Sequence, residues 1–192
     1  MSHTIYTTPA IIISAQYHGK ANRRFTVLTR DLGLLSVQAQ GVRELASKLR
    51  FHMQIFNHCE IDCLQGKEGW RLVGAHPRYD ISAPSPAFQP LYARLFRLIR
   101  RLVMGEETTQ PELYDWLCEL YIFTNSLTIT LTTNQLVTLE IVALAKIMHI
   151  LGYLDNEHIT DIALDLHTLD TFSHERKSLI LMINESLSAS QL

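Results

Sequence analysis

The spacing of apolar residues changes once along this chain of 192 residues. Up to about residue 80, apolar and polar side chains alternate in short runs, which is typical of half-buried β-strands. From residue 91 onward the apolar positions recur at three- and four-residue intervals, which is typical of helices. The change predicts an α+β chain with a β domain at 1–80, a proline-containing junction at 81–90 and a helical domain at 91–192.

Five alternating runs predict five short strands in the first domain. The predicted strands cover residues 4–17, 23–29, 34–40, 54–64 and 70–76. A bulge or bend is expected near Pro9 in the first strand, and Gly33 supplies the turn between the second and the third. Five short strands connected by turns favour a small barrel. An OB-fold is the leading candidate, and an SH3-like barrel is the alternative.

The second half predicts a bundle of four or five helices. A first helix is expected from residue 91 to just before Gly105. Later helices are expected at 112–125, 135–151, 157–166 and 174–187. The third of these five helices is apolar on almost every side, which is typical of the centre of a bundle. Gly152 stands where its C-terminal cap is expected, and Ser173 stands where the last helix should begin.

Composition allows a folded protein with a substantial core, since 47 % of the residues are hydrophobic and 19 % are charged. The three cysteines, Cys59, Cys63 and Cys118, are an odd number and do not make the disulfide framework of a secreted domain. The sequence has no apolar run of membrane-spanning length and no signal-peptide pattern. We therefore expect a cytoplasmic protein with no membrane partner.

Positive charge is concentrated in one segment. The whole chain has a formal charge of −2, whereas residues 19–50 contain seven Lys or Arg and only two acidic residues. Cations near phosphates release condensed counterions, which gives affinity for nucleic acids without reading their sequence. The segment therefore predicts a nucleic-acid site, and a solvated charged loop is the simpler alternative. The seven cations are Lys20, Arg23, Arg24, Arg30, Arg43, Lys48 and Arg50.

A second group of cations lies on the first predicted helix. Arg94, Arg97 and Arg101, with Arg100 beside them, gather opposite its apolar face. These arginines are candidates for an extension of the nucleic-acid path. The simpler alternative is the solvated side of an amphipathic helix, which can also pair with acids of its own bundle.

Metal binding and catalysis are not predicted. Cys59 and Cys63 fall on one face of a predicted strand and His58 falls on the other, whereas zinc needs four converging ligands. The sequence also lacks the phosphate-binding, HExxH and GxSxG motifs. We therefore expect a binding protein with no cofactor and no metal, in which the thiols are buried and structural.

The basic segment resembles the N-terminal domain of RecO, a bacterial family of DNA-repair and recombination-mediator proteins. The resembling residues are Gly19, Leu28-Thr29-Arg30 with Gly33, Ala39-Gln40-Gly41-Val42-Arg43, and Ser47-Lys48-Leu49-Arg50 at the family's spacing from Gly41. Residues 146–154 resemble, more loosely, the family's helix that ends in a Leu-Gly-Tyr turn. Family members usually carry Lys at the position of Gln40, and many carry a four-cysteine zinc module that has no counterpart among the three cysteines here.

The resemblance implies an OB-fold domain that binds single- and double-stranded DNA through the seven cations and Ser47. It further implies strand annealing without enzymatic activity, a RecR-like partner and a nucleoid-associated location. It also implies that the helical domain binds the C-terminal tail of single-strand-binding protein, for which we expect a groove at Lys146, Leu151 and Tyr153. Two alternatives stay open: a protein-interaction adaptor without DNA binding, and an RNA-binding OB protein, because phosphate contacts do not distinguish the sugars.

Overall fold

The structure is a computed structural model that describes residues 4–42, 49–67, 69–103, 108–155, 157–160 and 162–189. A five-stranded barrel precedes a series of helices, so the predicted α+β class is confirmed. The strands are β1 (Ile5–His18), β2 (Asn22–Thr29), β3 (Gly33–Ala39), β4 (His58–Gly66) and β5 (Gly69–Pro77). The helices are α1 (Leu49–His52), α2 (Gln89–Leu102), α3 (Pro111–Ser126), α4 (Thr133–Ile150), α5 (Glu157–Thr160) and α6 (Leu166–Ala189).

The five strands close into a barrel in the order β1-β2-β3-β5-β4. All neighbouring strands are antiparallel except β3 and β5, which pair in parallel at Val37–Trp70 and Gln38–Arg71. β1 is long enough to pair with β4 through its first half and with β2 through its second half. The closed five-stranded barrel agrees with the predicted OB-fold.

The barrel core is built from alternate residues of the strands, because successive side chains of a strand point to opposite faces. Phe25 and Val27 of β2 and Val37 of β3 are fully buried. Cys59 and Cys63 of β4 lie in the same core. Burial raises the pKa of Cys59 to about 12 and that of Cys63 to about 11. These thiols are therefore protonated at neutral pH and act as small apolar side chains.

The start of β4 differs from the prediction. The alternation of apolar residues suggested a strand from residue 54, but β4 begins at His58. The reason is Phe56, which takes a positive φ of 76° and interrupts the extended backbone. Its backbone N–H donates to the carbonyl of Ile12 at 3.0 Å, which fixes the turn against β1.

The irregularity of β1 also lies away from its predicted place. The pairing register with β2 shifts between Ile12 and Ser14, whereas Pro9 stays within the ladder opposite Glu60. Pro9 cannot donate a hydrogen bond, but its carbonyl accepts the backbone N–H of Arg30 at 3.2 Å. The strand therefore accommodates Pro9, whose carbonyl still accepts a hydrogen bond, and no bulge is needed at this position.

The last helix begins earlier than Ser173, where the sequence suggested it would start. α6 begins at Leu166, because the Oδ1 atom of Asp165 accepts the backbone N–H of Thr168 at 2.6 Å in the manner of an N-cap. This hydrogen bond lowers the pKa of Asp165. Ser173 lies inside the helix, and its hydroxyl donates to the carbonyl of Asp170. The predicted helix at 157–166 is correspondingly reduced to the short α5.

Contacts divide the chain into two compact units. One comprises residues 1–84 and 105–121, and the other comprises residues 85–104 and 122–192. The barrel unit therefore includes the first turns of α3, which the hydrophobic pattern alone assigns to the helical half. The domain boundaries at residues 80 and 91 stay a prediction.

In the second unit, α4 is buried along most of its length, as its apolar sequence predicts. Thr132 and Gln135 form a capping box at its N-terminus. Gly152 follows its C-terminus with a φ of +76°, and its N–H donates to the carbonyl of His149, so the predicted C-terminal cap is confirmed. Across the described ranges, no helix has both the length and the apolar composition that a membrane crossing requires.

Candidate nucleic-acid interface

A row of polar side chains runs across four strands on the outside of the barrel. Arg24 of β2 pairs with Gln16 of β1 on one side and with Gln38 of β3 on the other. Gln38 in turn pairs with Arg71 of β5. Because neighbouring strands lie about 4.8 Å apart, the backbones at Arg24 and Arg71 are about 10 Å apart across Gln38. We call these four residues the basic row.

The arginines of the basic row are available to a ligand. Arg24 and Arg71 are both exposed, and no ion pair to either occurs in the part of the chain that the structure describes. A row of hydroxyl groups lies beside them: Thr26 pairs with Ser14 and Ser36, and the Ser14 hydroxyl donates to Thr26 at 3.0 Å. Cations flanked by neutral polar groups give this outer face a positive potential.

The β1–β2 turn and the start of β2 hold two of the predicted cations near one end of the barrel. Lys20 is exposed in the turn, which Gly19 makes possible with a φ of +70°. The guanidinium of Arg23 lies over the ring of Tyr17, 5.2 Å from its centre. Tyr17 is 71 % exposed, so this cation–aromatic pair forms part of the surface.

A groove of about 400 Å³ adjoins the basic row where β3 ends and the β4–β5 turn begins. Its lining residues are Gln38, Gln40, Leu64, Gly66, Lys67, Gly69, Trp70 and Arg71. Lys67 and Arg71 are exposed cations, whereas the ring of Trp70 is buried. The groove thus combines two cations with two glutamines and two apolar residues.

Arg30 lies at the other end of β2 and is engaged by α3. Its Nε and Nη2 atoms donate to the two carboxylate oxygens of Asp115 at 2.9 and 3.1 Å, and the carboxylate raises the pKa of Arg30. At about 3.3 Å per residue, Arg24 and Arg30 are separated by roughly 20 Å along the chain. The structure therefore places Arg30 in a contact within the barrel unit and apart from the basic row.

A buried polar contact also ties α3 to the barrel. The Nε2 atom of His58 and the hydroxyl of Tyr114 are 2.5 Å apart. The other ring nitrogen of His58 lies 3.7 Å from Asp80 and has no hydrogen-bond partner among the described residues. Burial lowers the pKa of His58, and Asp80 opposes this shift without cancelling it. Burial likewise raises the pKa of Tyr114. His58 is therefore neutral at neutral pH.

The remaining predicted residues of the basic segment have different positions. Arg50 lies on α1 with its guanidinium 4.6 Å from the ring centre of Phe51, which is 57 % exposed. Arg43, Ser47 and Lys48 lie outside the described residues. Of the predicted cations, the structure thus brings Lys20, Arg23 and Arg24 close together at the β1–β2 turn and the start of β2.

The arginines of α2 are of two kinds. Arg94 is paired with Glu140 of α4 through both nitrogens of its guanidinium fork, and the Nη2–Oε2 distance is 2.7 Å. Arg97, Arg100 and Arg101 are exposed, and none has an ion-pair partner within residues 85–103 and the described parts of 122–189. The latter three arginines are therefore the better candidates for a ligand contact.

The residues predicted to bind a partner tail are mostly engaged within the second unit. Lys146 is buried, and its ammonium donates to the carbonyl of Thr160 at 2.5 Å. The hydroxyl of Tyr153 donates to the carbonyl of Leu102 at 3.0 Å. Leu151 and Tyr153 also pack against the apolar core of this unit. Leu151 and Tyr153 are half-buried, so part of each side chain stays at the surface, where a partner could contact it.

Sequence reasoning did not select Lys67, Arg71 or the amide of Gln38 as site residues. Arg71 lies between the buried Trp70 and Leu72 in β5, so strand alternation places it outside the barrel. What the sequence could not supply was the parallel pairing of β3 with β5, which brings Arg71 next to Gln38. No cluster of three or more His, Cys, Asp or Glu that could hold a metal occurs among the described residues.

Comparison with known proteins links the barrel to one family. Residues 1–70 match the family model described as "Recombination protein O N terminal". Proteins named "DNA repair protein RecO" are 37 % identical over 123 residues in Synechococcus elongatus and 34 % identical over 73 residues in Heliobacterium modesticaldum. These matches cover 62 % and 38 % of this chain. They span 44 % and 27 % of the relatives, so the chain corresponds to less than half of the length of either relative.

Proposed function

Because residues 1–70 match the model of the N-terminal domain of the RecO family, we propose that this chain binds DNA through the outer face of its barrel and acts in DNA repair. The proposed role is that of a mediator without enzymatic activity, which binds single and double strands and promotes the annealing of complementary strands. The observation that carries this proposal is the basic row, in which two exposed arginines about 10 Å apart flank an amide on adjoining strands.

The chemistry of the face suits a backbone-binding protein. Lys20, Arg24, Lys67 and Arg71 offer four exposed cations on the strands and turns of one barrel. Cations in such an arrangement contact phosphates of any sequence and fix the position of the strand without specifying its bases. An annealing protein needs this property, because lowering the repulsion between phosphates while leaving most base edges free allows two complementary strands to pair.

Two further surfaces belong to the proposal. Arg97, Arg100 and Arg101 of α2 are exposed cations of the second unit, and they are proposed as a further set of DNA contacts. The resemblance to RecO supports a RecR-like partner and binding of the acidic tail of single-strand-binding protein. For the tail we propose the surface at Leu151 and Tyr153, with a cation of α2 in place of the buried Lys146, because Tyr153 bonds to Leu102, the residue next to Arg101.

The test is fluorescence anisotropy of a labelled single-stranded oligonucleotide titrated with the full chain at several salt concentrations. If about four phosphates are neutralised, the logarithm of the association constant should fall with the logarithm of salt at a slope near −3. Between ~50 and ~200 mM salt, binding should then weaken roughly 60-fold. No binding at low salt would overturn the proposal and favour a protein-interaction adaptor.

Charge-reversal variants locate the site in the same assay. Arg24→Glu combined with Arg71→Glu should abolish binding, whereas Lys177→Glu, at an exposed position of α6, should leave it unchanged. Arg43→Glu combined with Lys48→Glu tests the predicted loop.

Competition between matched RNA and DNA strands distinguishes the proposal from RNA binding. A pull-down with the C-terminal tail peptide of single-strand-binding protein tests that partner.

A further inference from the structure

The groove beside the basic row has the size of a small-molecule site rather than that of a phosphate contact. Its volume of about 400 Å³ falls within the range of roughly 300–1,000 Å³ that is typical of ligand pockets. A phosphate contact alone requires only a cation on a convex surface. The concave shape therefore suits a ligand that has an uncharged part to occupy the groove as well as a charged group.

The lining of the groove divides into two chemical parts. Lys67 and Arg71 supply two exposed cations. The side chains of Gln38 and Gln40 each supply an amide with donors and an acceptor, which is the chemistry that hydrogen-bonds the edges of nucleobases. A nucleotide has the matching parts, because its phosphate is anionic and its base presents donors and acceptors.

Two apolar residues also line the groove. Leu64 and Trp70 contribute the apolar side chains. The indole Nε1 atom of Trp70 is buried, and it has no hydrogen-bond partner in the part of the chain that the structure describes. The ring of Trp70 belongs to the barrel core and lies 5.4 Å from the ring of Tyr6, so it reports on the groove from inside the barrel wall.

We propose that this groove binds one unstacked nucleobase of a single strand, with Gln38 and Gln40 bonding its edge and Lys67 and Arg71 holding the adjoining phosphate. The inference rests on the proposed DNA binding and adds to it a preference for single strands. A base stacked and paired within a duplex cannot enter the groove, whereas a base of a single strand enters at little cost. The barrel therefore distinguishes single from double strands by a base contact and not by charge.

The test compares two labelled oligonucleotides of equal length and equal phosphate number, one of thymidines and one with abasic sites throughout. The wild-type chain should bind the thymidine strand about tenfold more tightly, as two hydrogen bonds to the base of about 0.7 kcal/mol each predict. Gln38→Leu combined with Gln40→Leu should remove the difference between the two strands. Gln54→Leu is the control, since Gln54 is an exposed glutamine that neither belongs to the basic row nor lines the groove.

A second measurement keeps the test independent of the glutamine variants. In Trp116→Phe, Trp70 is the one remaining tryptophan of the sequence, and its fluorescence should change when the thymidine strand binds but not when the abasic strand binds. Equal affinity for both strands, with no difference in Trp70 fluorescence, would overturn the base site while leaving backbone binding intact. Failure of both strands to bind would instead overturn the proposed function.

Discussion

The two ends of β2 carry arginines that look equivalent in the sequence and have different roles in the structure. Arg24 is exposed in the basic row between two glutamines. Arg30, six positions later, is held by both oxygens of Asp115. Local positive charge therefore marks a candidate site, whereas a partner from a distant segment decides whether the charge is already engaged within the protein.

The glycines at these two ends differ in the same way. Gly19 precedes β2 and Gly33 follows it, and both have a positive φ, of 70° and 74°. Around Gly19 no atom lies within 4 Å of the place where a Cβ would stand. At Gly33 a Cβ would collide with the backbone carbonyl of Thr108, in the segment that leads into α3. Gly19 is therefore needed only for the backbone conformation of its turn, whereas Gly33 also permits the backbone at Thr108 to pack closely on the barrel.

The largest expected effect follows from this difference. Gly33→Ala should lower the free energy of unfolding by about 3–4 kcal/mol, because it combines left-handed backbone strain with a collision against backbone that cannot move aside. Gly19→Ala should cost about 1–2 kcal/mol, since only the strain applies. Urea unfolding of both variants measures the difference. Equal costs would show that the packing of Thr108 on Gly33 does not contribute to stability.

The next effect concerns the charges themselves. Arg24→Ala should weaken binding of a single-stranded oligonucleotide several-fold at low salt and reduce the salt slope by about 0.7, the amount for one phosphate contact on a single strand. Arg30→Ala should leave the slope unchanged. Anisotropy titrations across a salt series provide both values. A reduced slope for Arg30→Ala would contradict the comparison, because a cation held by Asp115 would then be contributing to DNA binding.

The variant Asp115→Asn sharpens this prediction. Removal of the carboxylate leaves Arg30 without its ionic partner. The salt slope in Asp115→Asn should therefore stay at the wild-type value if position excludes Arg30 from the DNA path. The slope should become steeper if the ion pair with Asp115 is all that prevents Arg30 from contacting DNA. The measurement thus distinguishes the effect of the position of Arg30 from the effect of its ion pair with Asp115.

The smallest expected effect is on the pH dependence of stability, and it arises from His58, which contacts Tyr114 of α3. The pKa of His58 is lowered from 6.5 by burial, so the unfolded chain takes up this proton at a higher pH than the folded chain. The stability that neutral His58 provides is therefore fully present above about pH 6.5 and is lost as pH falls below it. Over one pH unit the loss is at most about 1.4 kcal/mol.

Unfolding by urea at pH 7.5, 6.5 and 5.5 measures this dependence. His58→Gln should flatten it, whereas His18→Gln, at an exposed position of β1, should not. The carboxylates with lowered pKa values, Asp62, Asp80 and Asp165, act below this range, because their ordinary value is 3.8. An unchanged pH dependence in His58→Gln would mean that the His58–Tyr114 contact is not coupled to folding.

Much of the fold follows from local pattern. The alternation around Phe25 and Val37 gives β2 and β3 within one residue of their bounds, and Gly152 gives the end of α4. The resemblance to RecO, based mainly on residues 19–50, is confirmed by the family match over residues 1–70. The errors occur where a single residue outweighs the pattern: the positive φ of Phe56 shortens β4, and the cap at Asp165 lengthens α6.

The candidate site was predicted less completely than the fold. Lys20, Arg23 and Arg24 are neighbours in the sequence, so their proximity in space follows from one turn and one strand. Arg71 is remote in the sequence, and only the parallel pairing of β3 with β5 brings it to the basic row. Local charge density therefore identifies the residues on one side of the proposed binding face but not those on the other side.

The α+β class, the five strands, the central apolar helix and the basic segment can all be read from neighbouring residues, because each depends on local periodicity or charge. Which cations are already engaged within the protein depends on how the chain folds. The tertiary structure closed the barrel so that Arg71 joined Arg24 across Gln38, and it placed Asp115 against Arg30. The physical reason is that strand pairing and ion pairing join residues far apart in the chain, whereas a sequence pattern records only near neighbours.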